Sequence, residues 1–157
     1  MWAIAARQDM DAMSRPGALT LICTHDRSSA HELLMILDGA MGHTAASASN
    51  LVLGDHPCAS NSDVFDRLLG HKLLYDIEVL CWQPWLDLDP VRMLKQLAHQ
   101  SGIVAVWPGS FDGRYIEFST PDRSDYVRAD ASDIGVLRPV KSQFPDEVPF
   151  TLERVHR

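Results

Sequence analysis

The chain has 157 residues, 46% of them hydrophobic and 22% charged, with a formal net charge of −7. That balance fits one globular domain with a sizeable core and excludes a disordered or low-complexity protein. The negative charge argues against a general nucleic-acid surface, which needs clustered Lys and Arg, and no apolar run nears the roughly 20 residues that span a bilayer.

The opening Met1-Trp2-Ala3-Ile4-Ala5-Ala6 lacks the basic flank of a secretion signal, so the cytoplasm is the expected location. Residues 2–13 predict a helix with Trp2, Ile4 and Ala5 or Ala6 on one side, broken by Arg15-Pro16-Gly17. A first strand follows at 18–23, then an amphipathic helix from Glu32 to Met41 with Leu33, Leu34, Leu37 and Met41 at helical spacing. Ser29-Ala30-His31-Glu32 fits a capping box for that helix. A second strand is expected at about 47–53, and Ser60 or Ser62 caps a helix through Val64, Phe65, Leu68 and Leu69.

Lys72 to Leu80 is mostly apolar and reads as one long parallel strand. After a connection at Trp82-Gln83-Pro84-Trp85-Leu86, Asp89-Pro90 opens a helix with a cap and a first-turn proline, closed by Gly102. Ile103 to Trp107 is a fourth strand, Pro108-Gly109 turns it, and Arg114 to Ser119 alternates like a hairpin strand. Strands separated by helices of this length imply an α/β domain over residues 1–138, an αβα sandwich with a mostly parallel sheet. Residues 139–157, with Pro139, Pro145 and Pro149, read as an extended tail. Phe144, Val148, Phe150, Leu152 and Val155 alternate in part, so the tail either adds a strand to a neighbour or covers the domain's own edge.

The turn after the first strand carries most of the functional information. A P-loop needs G-x-x-x-x-G-K-[ST] there: glycines let backbone N–H groups curl round phosphate, Lys neutralises it, and the hydroxyl holds Mg²⁺. Here the frame runs from Thr24 to His31, with Ser28, Ser29 and Ala30 inside it, and none of the required residues is present. Asp26 and Glu32 flank the positive end of the following helix and can satisfy it internally. Asp76 and Glu78 share one face of the predicted third strand, where carboxylates can bind Mg²⁺ or act as an acid–base pair; with the loop chemistry missing, relic or structural roles are expected.

Other chemistry competes for the same residues. His25, Asp26 and His31 have a spacing that admits a metal, but no second ligand pair accompanies them, so no metal is expected. Ser28 or Ser29 with His31 and Asp26 suggests a hydrolase, yet the glycines of a nucleophile elbow are missing and helix capping explains the serines. Cys23, Cys58 and Cys81 are odd in number and far apart, as reduced buried thiols are. Trp82, Trp85 and Trp107 serve either a protein contact or simple burial.

Leu73-Leu74-Tyr75-Asp76-Ile77-Glu78-Val79-Leu80, Asp89-Pro90-Val91-Arg92-Met93-Leu94 and Val104-Ala105-Val106-Trp107-Pro108-Gly109 together resemble the BrxF family. Those are small P-loop proteins of BREX-type bacterial defence against phage. Gly113-Arg114-Tyr115-Ile116 and Pro121-Asp122-Arg123-Ser124-Asp125-Tyr126 extend the resemblance, which covers about residues 18–137. It implies a P-loop αβα fold, ATP binding, and membership of a multi-protein phage-excluding assembly. Aligned on Ile77-Glu78, the family's metal-directed Asp falls on Tyr75, with Asp76 one place later.

The combined expectation is a pseudo-ATPase with no cofactor, a structural or regulatory subunit. Alternatives are an ATPase completed by partner residues and a DNA-contacting adaptor. The resemblance implies partners among larger defence proteins: an ATPase, a methyltransferase or a phosphatase-like subunit. Homo-oligomerisation through sheet edges is a further expectation. Trp82, Trp85, Phe144 and Phe150 are the candidate contact residues.

Overall fold

A computed structural model describes residues 13, 15–24, 27–42, 44–81, 89–141 and 150–156. The predicted first helix, apart from Met13, lies outside the described residues. The elements run β1 (Leu19–Cys23), α1 (Arg27–Met41), β2 (Ala46–Ser47), α2 (Ala48–Leu53), α3 (Asn61–Leu68) and β3 (Leu73–Tyr75). A short 3₁₀ helix (Ile77–Cys81) leads on to α4 (Pro90–Ala98) and β4 (Ile103–Trp107). The last strands are β5 (Ser110–Phe111), β6 (Tyr115–Phe118), β7 (Val127–Asp130), β8 (Gly135–Lys141) and β9 (Phe150–His156).

Among the described residues, six strands form the main sheet in the order β2-β3-β4-β1-β8-β9. The first five are parallel, and β9 closes the edge antiparallel to β8. This agrees with the expected α/β class and mostly parallel sheet. β1 is central: Leu19 to Cys23 pair with Ile103 to Trp107 on one side, and Thr20 to Ile22 with Gly135 to Leu137 on the other.

Strand residues alternate between two apolar layers. Ile22, Leu73, Val104, Val106 and Leu137 pack with Met13 and with Leu33, Leu34 and Leu37 of α1. Leu21, Leu74, Ala105, Trp107 and Val136 pack on the opposite face with Val52, Val64, Leu68, Leu94 and Leu97 of α2, α3 and α4. Right-handed crossovers require this division, because β1 to β2 crosses the sheet in one direction and every later parallel connection crosses in the other. Each buried Leu or Ile contributes about 1.5–3 kcal/mol of transfer free energy.

Two caps anticipated from the sequence are in place. Asp89 accepts from the amides of Val91 and Arg92, both at 3.1 Å, with Pro90 at the first helical position. Ser60 accepts from the Asp63 amide at 3.2 Å. Helix α4 ends at Ala98 rather than Gly102.

Three elements depart from the expected ones. The second strand is only Ala46–Ser47, and the run Leu51-Val52-Leu53 belongs to helix α2, which Ser47 caps by accepting from the Asn50 amide at 3.2 Å. The third strand stops at Tyr75, and the remaining apolar residues form the 3₁₀ helix, where Ile77, Val79, Leu80 and Cys81 are all buried. The tail is not merely extended. Pro139 to Lys141 continue β8 past its last rung with β1, where no parallel ladder bond is needed, and β9 covers the domain's own edge.

A second, three-stranded antiparallel sheet, β5-β6-β7, sits between β4 and β8 in the chain. Its inner face, Phe111, Ile116, Phe118, Val127 and Ala129, joins the layer that holds α2 to α4. Its outer face is polar, with Tyr115 opposite Asp130 and Glu117 opposite Arg128. Gly109 fixes how closely it docks: a Cβ there would collide with the Glu117 carbonyl oxygen, and that oxygen accepts the Trp107 indole N–H at 3.0 Å.

Candidate functional site

In an open parallel sheet, ligands bind outside the carboxyl ends of the strands, at the point where connections leave in opposite directions. Here that point lies between β1, whose chain continues into α1, and β4, whose chain turns onto the other face. The predicted nucleotide frame, Thr24 to His31, begins at this point.

Only residues 24–26 separate β1 from α1. The Thr24 amide donates to the Trp107 carbonyl at 3.2 Å and so prolongs the β1–β4 ladder by one residue. Helix α1 starts at Arg27, not Glu32. Ser28 and Ser29 therefore stand in its first turn rather than at its cap, so the expected capping position Ser29 falls inside the helix. Ala30 is half-buried against the α1-side core, and His31 is exposed. A helical backbone aims its N–H groups along the axis and commits them to carbonyls four residues back from the fifth onward. Helix occupies residues 27–31 of the frame. His25 and Asp26 lie outside the described residues, and no group of three or more potential metal ligands assembles among the described ones.

The expected pairing of Asp76 and Glu78 on one strand face is corrected as well. Asp76 follows the end of β3 with φ of +52°, and Glu78 lies in the 3₁₀ helix. Asp adopts that left-handed conformation more readily than most residues. The Asp76 carboxylate accepts the Ser47 hydroxyl at 2.8 Å. Ser47 ends β2, on the side of β3 remote from β1, so this contact draws the carboxylate away from the β1–α1 turn. The same Ser47 oxygen that donates to Asp76 caps α2, joining the ends of two adjacent strands to one helix.

The aromatic candidates divide. Trp82, Trp85 and Phe144 lie outside the described residues, and Phe150 begins β9. Trp107 is fully buried and belongs to the core.

The residues that sequence reasoning passes over are those across the sheet from α1. Cys23, Gly109, Ser110, Phe111, Arg138 and Val155 line a cleft of about 350 Å³. They come from the end of β1, the turn after β4, the middle of β8, from β5, and from β9, where Val155 is the extra residue of a bulge opposite Val136 and Leu137. Bulges often re-aim a side chain beside a site. The only advance signal is Pro108-Gly109 directly after an apolar strand. Burial pushes the Cys23 thiol up to about 12, so it is protonated at neutral pH and lines the cleft as a small apolar group rather than a nucleophile. Cys81 is likewise pushed up to about 12, by burial first and then by the nearby charges of Glu78, Asp125 and Asp89.

The polar face of the small sheet is internally paired. The Arg128 guanidinium lies 3.9 Å from the Tyr115 ring centre and that of Arg114 lies 5.1 Å away. Arg114 meets Asp130 at 3.4 Å, Arg123 meets Asp125 at 3.1 Å, and Arg128 meets Glu117 at 3.7 Å. Ser119, at φ +66°, donates its hydroxyl to Asp125 at 2.7 Å, and Tyr126 donates to Glu117 at 3.2 Å. Exposed pairs like these add little stability one by one, but together they fix the 119–128 turn.

No helix among the described residues is long and apolar enough to cross a membrane. Comparison with protein-family models, curated proteins and solved structures finds no match to this chain.

Proposed function

We propose that this protein is a non-catalytic subunit of a bacterial phage-defence assembly of the BREX type, a pseudo-ATPase that keeps a P-loop-like frame without the means to hold a triphosphate. The observation that carries the reading is the start of α1 at Arg27, with only residues 24–26 between it and β1. Helical backbone occupies residues 27–31 of the frame, and no Lys stands in it to neutralise charge. The engagement of Asp76 by Ser47 argues against a metal-directed role for that carboxylate.

The subunit works in the cytoplasm beside larger proteins of the assembly: an ATPase, a methyltransferase or a phosphatase-like component. Contact with DNA falls to those partners. The net charge of −7 and the pairing of Arg114, Arg123 and Arg128 with carboxylates favour that division of labour.

Calorimetric titration of the purified protein with Mg-ATP tests the first part: no saturable heat and no hydrolysis are expected, and micromolar binding or turnover overturns it. Affinity capture of the tagged chain from its native cells tests the second. Co-purification of a large defence ATPase or methyltransferase is expected, and their absence from the captured material overturns membership of the assembly.

A further inference from the structure

We infer that the outer edge of β7 pairs with the same edge of a second copy of this chain, so that two small sheets merge into one antiparallel sheet about a two-fold axis level with Ala129. The inference is independent of the nucleotide frame and of phage defence, because it rests on the small sheet alone.

The backbone supplies the first half of the case. Strands β6 and β7 pair antiparallel from Tyr115 opposite Asp130 to Phe118 opposite Val127, without a bulge. The Ala131 amide continues that ladder to the Arg114 carbonyl at 2.8 Å. Bonded and unbonded pairs alternate along such a ladder, so Val127, Ala129 and Ala131 turn their amides and carbonyls toward β6. Those of Arg128 and Asp130 point the other way. Among the described residues no strand pairs with that side, since β7 ends the order β5-β6-β7. It holds no proline, glycine or bulge, the usual guards of an open edge.

The side chains supply the second half, because they set the register. A two-fold axis normal to the sheet keeps each side chain on its own face, so the axis must lie level with a residue and not between two. Level with Ala129, Arg128 faces Asp130 of the second copy and Asp130 faces its Arg128, all on the polar face, where these side chains are 48% and 42% exposed. The same residues are then opposed as hydrogen-bonded pairs, each exchanging its outward amide and carbonyl, with Ala129 against Ala129 as the close unbonded pair. One step either way sets Arg128 against Arg128 or Asp130 against Asp130, and like charges directly opposite are destabilising. Arg128 already meets Glu117 and Tyr115, and Asp130 meets Arg114, on that face. The new rungs lengthen this network and call for no unpaired group. An edge of four residues makes a weak dimer, with a dissociation constant on the order of 100 µM.

The experiment follows the intact, ¹⁵N-labelled chain from about 10 µM to about 1 mM, over which such a dimer passes from mostly apart to mostly paired. Sedimentation velocity should move from monomer toward dimer. Solvent exchange of the Arg128 and Asp130 amides should slow on the order of fivefold, while that of the Ala129 amide, bonded to β6, is unchanged. Arg128→Asp alone and Asp130→Arg alone each oppose like charges, and each should weaken self-association by about tenfold or more. Mixed in equal amounts, the two variants should form a heterodimer, because every rung is then again of opposite sign.

A chain that stays monomeric up to about 1 mM overturns the proposal. So does a dimer in which the Arg128 and Asp130 amides exchange as before, since its interface lies elsewhere. Both readouts need no variant and decide the question even if a substitution fails to fold. Folded variants that associate as the unmutated chain does, or that do not recognise each other, overturn the register.

Discussion

Strands β1 and β4 lie side by side and end at the same edge of the sheet, yet the chain leaves them in opposite ways. After β1 it passes through residues 24–26 and is helical by Arg27. After β4, Pro108-Gly109 turns the chain into a hairpin that folds back over the opposite face, and the space beneath becomes a cleft. The first exit leads into helix by Arg27, and the second leaves a cleft beside the strand ends. In a parallel sheet the strands supply only the platform. The residues that leave it decide whether anything binds.

The difference can be broken from the β4 side. Gly109→Ala sets a methyl group against the Glu117 carbonyl, which is backbone and cannot swing aside, and crowds the Trp107 indole nitrogen. The expected loss is about 3 kcal/mol, the upper end for overpacking, read as a lower midpoint in urea denaturation.

Acid sharpens the contrast between the two sheets. Asp112 is held below the usual carboxylate range by accepting the amides of Tyr115 and Arg114, Asp125 by Ser119 and Arg123, and Asp130 by Ser132. A carboxyl whose folded value is depressed adds stability in full above its unfolded value near 3.8, and loses it as pH falls through the lower folded value. All three belong to the small sheet or its turns. Hydrogen-exchange protection of β6 and β7 should therefore fall as pH drops from about 5 toward 2. Protection of the β1–β4 ladder should hold to lower pH. Loss of both together would show the two sheets to be one cooperative unit.

The smallest expected effect is none at all. Thr24→Gly, Ser29→Gly, Ala30→Lys and His31→Thr, made together, would restore the letters of a P-loop to this frame. Because α1 already begins at Arg27, Mg-ATP affinity should stay unmeasurable by calorimetry. Micromolar binding by that variant would show that side chains, not the early helix, empty the first exit.

Much of the platform is legible in the sequence. The apolar run Ile103 to Trp107 can only be a buried strand of that length between a helix and Pro-Gly, and Asp89-Pro90 announces α4 by its chemistry. The run from Leu73 to Leu80 misleads because it reports burial rather than conformation. Ile77, Val79 and Leu80 are as buried in a 3₁₀ helix as they would be in a strand, and periodicity cannot separate the two. Leu51 to Leu53 misleads likewise, although Ser47 four residues earlier carries a cap signal for α2. Pro139 disguises β8 as a tail, since proline argues against an interior strand until it is seen to fall past the last β1 rung.

The cleft is illegible for another reason. Cys23, Gly109, Arg138 and Val155 carry no shared motif and meet only because four distant segments pass the same corner of the sheet.

The central position of β1 has a consequence for how the chain comes to fold. A ribosome delivers this strand before its two neighbours, β4 and β8, which emerge much later. Until they arrive, both margins of an almost wholly apolar ribbon are open to any passing extended peptide. Closure of so many distant pairs is slow by its nature, so slowing synthesis by lowering the growth temperature should raise the recovered fraction of native material.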